Sequence, residues 1–101
     1  MASFNDIEKC TDLHGDAFGD FNVLGVSVTT TGYKGGDSGH GGRTYLSLEN
    51  LGSTDIDARI TTNRDGNLKV EIMLGGDSEL DSLIDSLRWA ADRLDALRNA
   101  L

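Results

Sequence analysis

The last quarter of the chain, "DSELDSLIDSLRWAADRLDALRNAL" from Asp77 to Leu101, places the strongest condition on the fold. Leu80, Leu83, Ile84, Leu87, Ala91, Leu94 and Leu101 recur at helical spacing, which at about 100° per residue draws one apolar stripe along a helix. Asp77 or Ser78 is placed to cap it, and Glu79 and Asp81 in its first turn suit the positive end of the macrodipole. Most helical stability in a folded protein comes from packing such a stripe against something apolar. The upstream sequence must therefore supply a surface for this helix to cover.

Four alternating runs supply it. "FNVLGVSVTTT" is β-rich with Leu24, Val26 and Val28 on one side. "RTYLSLENL" places Leu46 and Leu48 on one side and Tyr45, Ser47 and Glu49 on the other. "DIDARITTN" turns Ile56, Ala58 and Ile60 inward, and "LKVEIML" does the same with Leu68, Val70, Ile72 and Leu74. Between the last two, Asp65-Gly66 is a hairpin signal, because both residues tolerate positive φ. Near the N-terminus "SFNDIEKCTDL" reads as a short amphipathic helix, with Ser3 as N-cap, Asp6 in its first turn, and Phe4, Ile7 and Cys10 or Thr11 at helical spacing. "HGDAFGD" reads as a turn. The sum predicts one α+β domain over 1–101. An N-terminal helix and turn occupy 1–20, a four-stranded antiparallel sheet occupies 21–75, and the long C-terminal helix over 77–101 packs on one face of that sheet.

Charge and cysteine usage narrow the function. The net charge is −8, with the excess of acids concentrated in residues 1–20 and 77–101. A field of that sign repels phosphate backbones, so direct nucleic-acid binding is not expected, whereas a protein partner with a basic surface is. A single cysteine, Cys10, excludes an internal disulfide framework and points to a reducing compartment. No apolar run approaches membrane-spanning length, and "MASFNDIEKC" is not a signal peptide, so a cytoplasmic location without membrane contact is expected.

The stretch Gly32–Gly42 holds six of the thirteen glycines. "GDSGHGG" resembles the nucleophile segment of trypsin-like serine proteases, but such an enzyme needs two β-barrels and an upstream histidine and aspartate. "DSGHGGRT" has the spacing of a phosphate loop. Asp37 stands for its first glycine, however, Arg43 stands for the lysine, and a strand rather than a helix follows. Cys10, His14, Asp37 and His40 are a thin supply of metal ligands. What remains is an irregular loop offering Tyr33, Lys34, Gly36, Asp37, His40 and Arg43, either to a partner or, as glycine amides with Lys34 and Arg43, to an anionic small molecule.

On the last helix Trp89 lies about 180° from Leu80, away from the apolar stripe. Either the N-terminal segment folds over it or it anchors a partner, as tryptophan does at hot spots. Asp81, Asp85, Asp92 and Asp95 make an acidic row interrupted by Arg88, which reads as a solvated face with local pairs to Arg88 or as a docking surface for a basic groove. No nucleophile with an orienting base, acid/base pair, metal site or cofactor fingerprint is present, so catalysis is not expected. The expectation is a small acidic interaction protein, a homodimer, that blocks or modulates a basic and possibly nucleic-acid-handling partner, of the type viruses and mobile elements encode. Its partner-binding residues would be Asp81, Asp85, Trp89 and Asp92. The alternative is a small-molecule binding module that uses the Gly32–Gly42 loop for a nucleotide-like or phosphorylated ligand.

Overall fold

A computed structural model of the chain describes residues 3–36 and 41–100. A 3₁₀ helix (Phe4–Lys9) leads into β1 (His14–Phe18), β2 (Val23–Thr30), β3 (Thr44–Gly52), β4 (Ile56–Thr62), β5 (Leu68–Leu74) and α1 (Asp77–Ala100). The class is α+β with a long C-terminal helix, as the sequence predicts. The sheet is not a single four-stranded one. β1, β2 and β3 form an antiparallel sheet with β2 in the centre, and β4 and β5 form a separate antiparallel pair.

Two local causes explain the difference. The segment expected as a turn, His14–Phe18, is a short edge strand that pairs with β2 from His14 opposite Val28 to Phe18 opposite Leu24. Its glycine and aspartate disguise it, because pairing with β2 and the cover of α1 hold it extended in place of propensity. At the other edge, β3 ends in a register shift opposite Val23 and Leu24, followed by Ser53 in the left-handed region at φ 56°. Thr54 is then clamped. Its amide donates to Asn50 Oδ1 at 3.0 Å, its carbonyl accepts from Asn50 Nδ2 at 3.1 Å, and its hydroxyl donates to the Val23 carbonyl at 2.8 Å. Gly75 N–H closes the same junction by donating to the Asp55 carbonyl at 3.0 Å. The clamp turns the chain out of the plane of β3, so β4 leaves without pairing to it.

The hairpin itself forms as expected. Gly66 takes φ 80°, and Asn63 Oδ1 accepts from the amides of Asp65 and Asn67, both at 3.0 Å. Its register puts Ile56, Ala58 and Ile60 on the same side as Leu74, Ile72 and Val70. That side is not turned inward: Ile60 is 71% and Val70 61% exposed.

The core lies between β2 and α1. Leu24, Val26 and Val28 are fully buried on one face of the sheet, flanked across the register by Leu48. Burying such side chains contributes about 1.5–3 kcal/mol each. The helix meets them with Ser82, Ser86 and Ala90, all buried, and the Leu80–Ile84–Leu87 stripe is rotated roughly 125° away. The expected packing face is therefore corrected, since Leu87 at mid-stripe is 48% exposed. Small helix residues opposite large strand residues let the two backbones approach, which a Leu face would prevent. The N-terminus differs too: Asp77 and Ser78 are helical residues, and the helix starts from Gly76 at φ 113°. Glu79, buried in the first turn, accepts from Asn22 Nδ2 and so ties the helix start to the β1–β2 turn.

Ser86 Oγ is fully buried and has no hydrogen-bond partner among the described residues. Ser86→Ala should therefore stabilise the protein by about 1 kcal/mol, because an unsatisfied buried hydroxyl is removed with little change of shape. Ser86→Leu should destabilise it by about 1–3 kcal/mol or more through overpacking against β2. Denaturant titration of both variants checks the packing face; a Leu variant as stable as the wild type would place Ser86 outside the core.

Candidate functional site

The residues singled out from the sequence fall in three separate places. Asp37 and His40 lie outside the described residues.

The first place is the neck of the glycine-rich connection between β2 and β3. Thr31 N–H donates to the Arg43 carbonyl at 2.9 Å, and Arg43 N–H donates to Thr31 Oγ1 at 2.8 Å. Gly42 is needed here, because a Cβ would collide with the Gly32 carbonyl oxygen. The Arg43 side chain is nearly covered. Its Nε donates to Asp6 Oδ2 at 2.8 Å, and its Nη1 donates to the carbonyls of Gly41 and Gly42, both at 3.1 Å. By strand alternation Arg43 is on the sheet face opposite α1, so this fork fixes the 3₁₀ helix to that face and gathers the loop neck at once. The guanidinium expected to meet an anion is committed to internal partners. Lys34 and Gly36 are exposed beyond the neck.

The second place is a recess between the loop base and the C-terminal half of α1. Tyr33, Thr30 and Thr44 line it from the sheet side, and Asp92, Asp95 and Arg98 from the helix. Arg98 Nη1 donates to Tyr33 Oη at 3.4 Å, and Arg98 pairs with Asp95. Tyr33 and Asp92 thus share one hollow, in which the cation is already engaged and carboxylates are in excess.

The third place joins Asp81 and Asp85 to residues that sequence patterning passed over. Both line a recess with Asp20, Phe21 and Asn22 of the β1–β2 turn, and with Ser78 and Ser82 of α1. Phe21 is 90% exposed beside the three carboxylates. The turn is brought there by Asn22 bonding to Glu79. The only signal in the sequence was an aromatic residue inside the polar turn "GDFN", where burial is not available to it. Among the described residues, Asp81, Asp85, Asp92 and Arg88 make no ion pair, so the local pairs expected with Arg88 do not form.

Trp89 is half-buried. It packs with Phe18, Leu48 and Leu94 around Val26, Val28 and Ala90, and Arg93 stands 5.5 Å from its ring centroid. Its cover comes from the three-stranded sheet, to which the N-terminal twenty residues contribute Phe18 of β1. The helical spacing that could align Cys10 with His14 is lost because the 3₁₀ helix ends at Lys9 and His14 opens β1. Among the described residues, no group of three or more His, Cys, Asp or Glu side chains is placed to hold a metal ion, and no helix is long and apolar enough to cross a membrane.

The Arg43 guanidinium, with help from Lys9 at 3.2 Å, holds the Asp6 carboxyl below the usual aspartate range. A depressed folded pKa means that the tie is complete above the unfolded value of about 3.9 and is lost as pH falls through the folded value. In an acid titration the Arg43 Nε–H resonance should stay in its bonded position to about pH 4 and move below it, while Asp6→Asn removes the transition. A resonance that does not move in the wild type would show that the tie is absent in solution.

No family model matches the chain, and comparison with the curated proteins and with the solved structures finds no significant match in either.

Proposed function

We propose that the chain is a small acidic binding protein that applies the outward face of α1 and the adjoining β1–β2 turn to a basic surface of a protein partner, and so blocks or modulates it. The observation that carries this reading is the recess that Asp20, Asp81 and Asp85 line together with the exposed Phe21. Three carboxylates that make no ion pair among the described residues, beside an aromatic ring, suit an arginine or lysine side chain, which gains charge-assisted hydrogen bonds on its head and ring contact along its stem. The net charge of −8 favours encounter with such a partner and repels nucleic acid. The alternative, a phosphorylated ligand in the glycine-rich loop, has less support because Arg43 would have to leave Asp6 and two carbonyls to serve it.

Binding of a fluorescent arginine-rich peptide to the full chain tests the reading. Replacing Asp20, Asp81 and Asp85 together by asparagine should weaken it by at least about tenfold and flatten its salt dependence. A control with Asp55, Asp57 and Asp65 replaced, which changes the net charge equally, should have a much smaller effect. Phe21→Ala should weaken binding by a few-fold to about 30-fold, the range of a cation–π contact. Equal losses in the two aspartate triples would reduce the effect to net charge and remove the site.

A further inference from the structure

Among the described residues, two apolar surfaces of this chain are left largely uncovered, although Leu68 at the hairpin's turn end shares a recess with Phe4, Ile7, Tyr45 and Leu46. One is the single-sided face of the β4–β5 hairpin, carrying Ile60, Leu68, Val70 and Ile72, every one of them exposed. The other is the α1 stripe of Leu80, Ile84 and Leu87, displaced from the core because Ser82, Ser86 and Ala90 occupy the contact with β2. A two-stranded hairpin is marginal in water without a third element against its apolar face. The accessible surface of 7273 Å² exceeds by about 1,700 Å² the roughly 5,500 Å² of a compact monomer of this mass. The radius of gyration of 15.1 Å likewise exceeds the about 13 Å of a compact chain of this length.

We propose that the occupant of both surfaces is a second copy of this chain. In a twofold dimer, the hairpin face of each copy lies on the α1 stripe of the other. The dimensions agree: the exposed positions from Leu68 to Ile72 span about 13 Å at 3.3 Å per residue. The bare stripe from Leu80 to Leu87 spans about 11 Å at 1.5 Å per residue. The surplus surface also fits, since a standard interface needs about 800 Å² from each partner and obligate dimers need more. Each copy supplies one hairpin and one stripe, which is the self-complementarity a twofold axis requires.

Charge and geometry exclude the closest rivals. Stripe against stripe would bring together two helices that each carry six acids and three bases, whereas residues 56–74 carry three of each and are neutral. Closure of the hairpin onto its own helix is opposed at its root by the Thr54 clamp and the Gly75–Asp55 hydrogen bond, which fix the direction in which β4 departs. Asp81, Asp85 and Asp92 lie on the helix sector beyond the stripe, so the dimer leaves them open and presents two acidic faces.

Sedimentation equilibrium of the full chain at micromolar concentrations should give twice 10.8 kDa. Val70→Glu and Leu87→Lys, both at positions exposed in the single chain, should each weaken dimerisation by at least about 30-fold, with helix content unchanged by circular dichroism. Mixing the two variants should restore a dimer, because one of its two contacts is then wild type and the other pairs glutamate with lysine. In a second measurement, Cys10→Ser chains bearing Val70→Cys are mixed with Cys10→Ser chains bearing Leu87→Cys. A short thiol crosslinker should join the two kinds to each other in preference to their own kind. A monomeric wild type, a dimer indifferent to both charged variants, or crosslinking of like with like would each overturn the proposal.

Discussion

The seating of α1 on β2 determines most of what this molecule presents to its surroundings. β2 is the central strand of its sheet and, among the described residues, the one strand with apolar side chains fully withdrawn from water, at Leu24, Val26 and Val28. Three large residues on the strand require small ones on the helix, and Ser82, Ser86 and Ala90 provide them at one-turn intervals. Glu79 bonded to Asn22 fixes the start of the helix, and Trp89 under Arg93 fixes its flank. With both ends of the contact set, the helix cannot roll towards β3 without driving leucines into a space shaped for serine and alanine. The bare stripe is therefore a consequence of good packing elsewhere.

The same seating accounts for the distribution of charge. A helix that buries a narrow, small-residue face has most of its circumference in water, and acids occupy the sector between the stripe and Trp89. The hairpin, which shows an apolar face to solvent in the single chain, is electrically neutral and pairs its charges internally through Arg59, Lys69 and Glu71. The Glu71 carboxyl is held below its usual range by hydrogen bonds from Arg59 and then Lys69. Separation of an acidic helix from a neutral hairpin leaves room for two kinds of contact on one small chain: an electrostatic one on the outer helix sector and an apolar one on the stripe and hairpin.

Alternation and turn chemistry made β2, β3, β4, β5 and the Asp65-Gly66 turn legible, because period-two patterning and positive φ are local properties. β1 was not legible: "HGDAF" has nothing strand-like about it, and its extension depends on β2 and α1. The helix was read correctly as a helix and incorrectly in its orientation. Periodicity weights leucine and isoleucine above serine, while the fit against Leu24, Val26 and Val28 selects for volume. The division into two sheets rests on Asn50 near the end of β3 and on Ser53 and Thr54 just beyond it, ordinary polar residues whose effect comes from hydrogen bonds and a backbone twist that no sequence period encodes. Of the site, Asp81 and Asp85 could be chosen from the helix alone. Asp20 and Phe21 could not, since a tertiary bond from Asn22 brings their turn to the helix.

The glycine-rich connection takes its meaning from Arg43. A loop of this length loses much entropy when its ends are held together, and the cost grows only slowly with added residues. The expensive step is therefore closing the neck. Thr31, Gly42 and Arg43 close it with backbone bonds and one close approach, and the Arg43 fork adds the 3₁₀ helix to the same knot through Asp6. Glycine at the crossing point is thus required by the close passage of two backbones. Tyr33, reaching Arg98 from this neck, extends the connection to the far end of α1. Two arginines, Arg43 on the sheet face away from α1 and Arg98 on α1 itself, bind the loop base to the 3₁₀ helix and to the long helix. Two of the loop's glycines, Gly32 and Gly42, are accounted for by the closing of that neck, before any ligand enters the explanation.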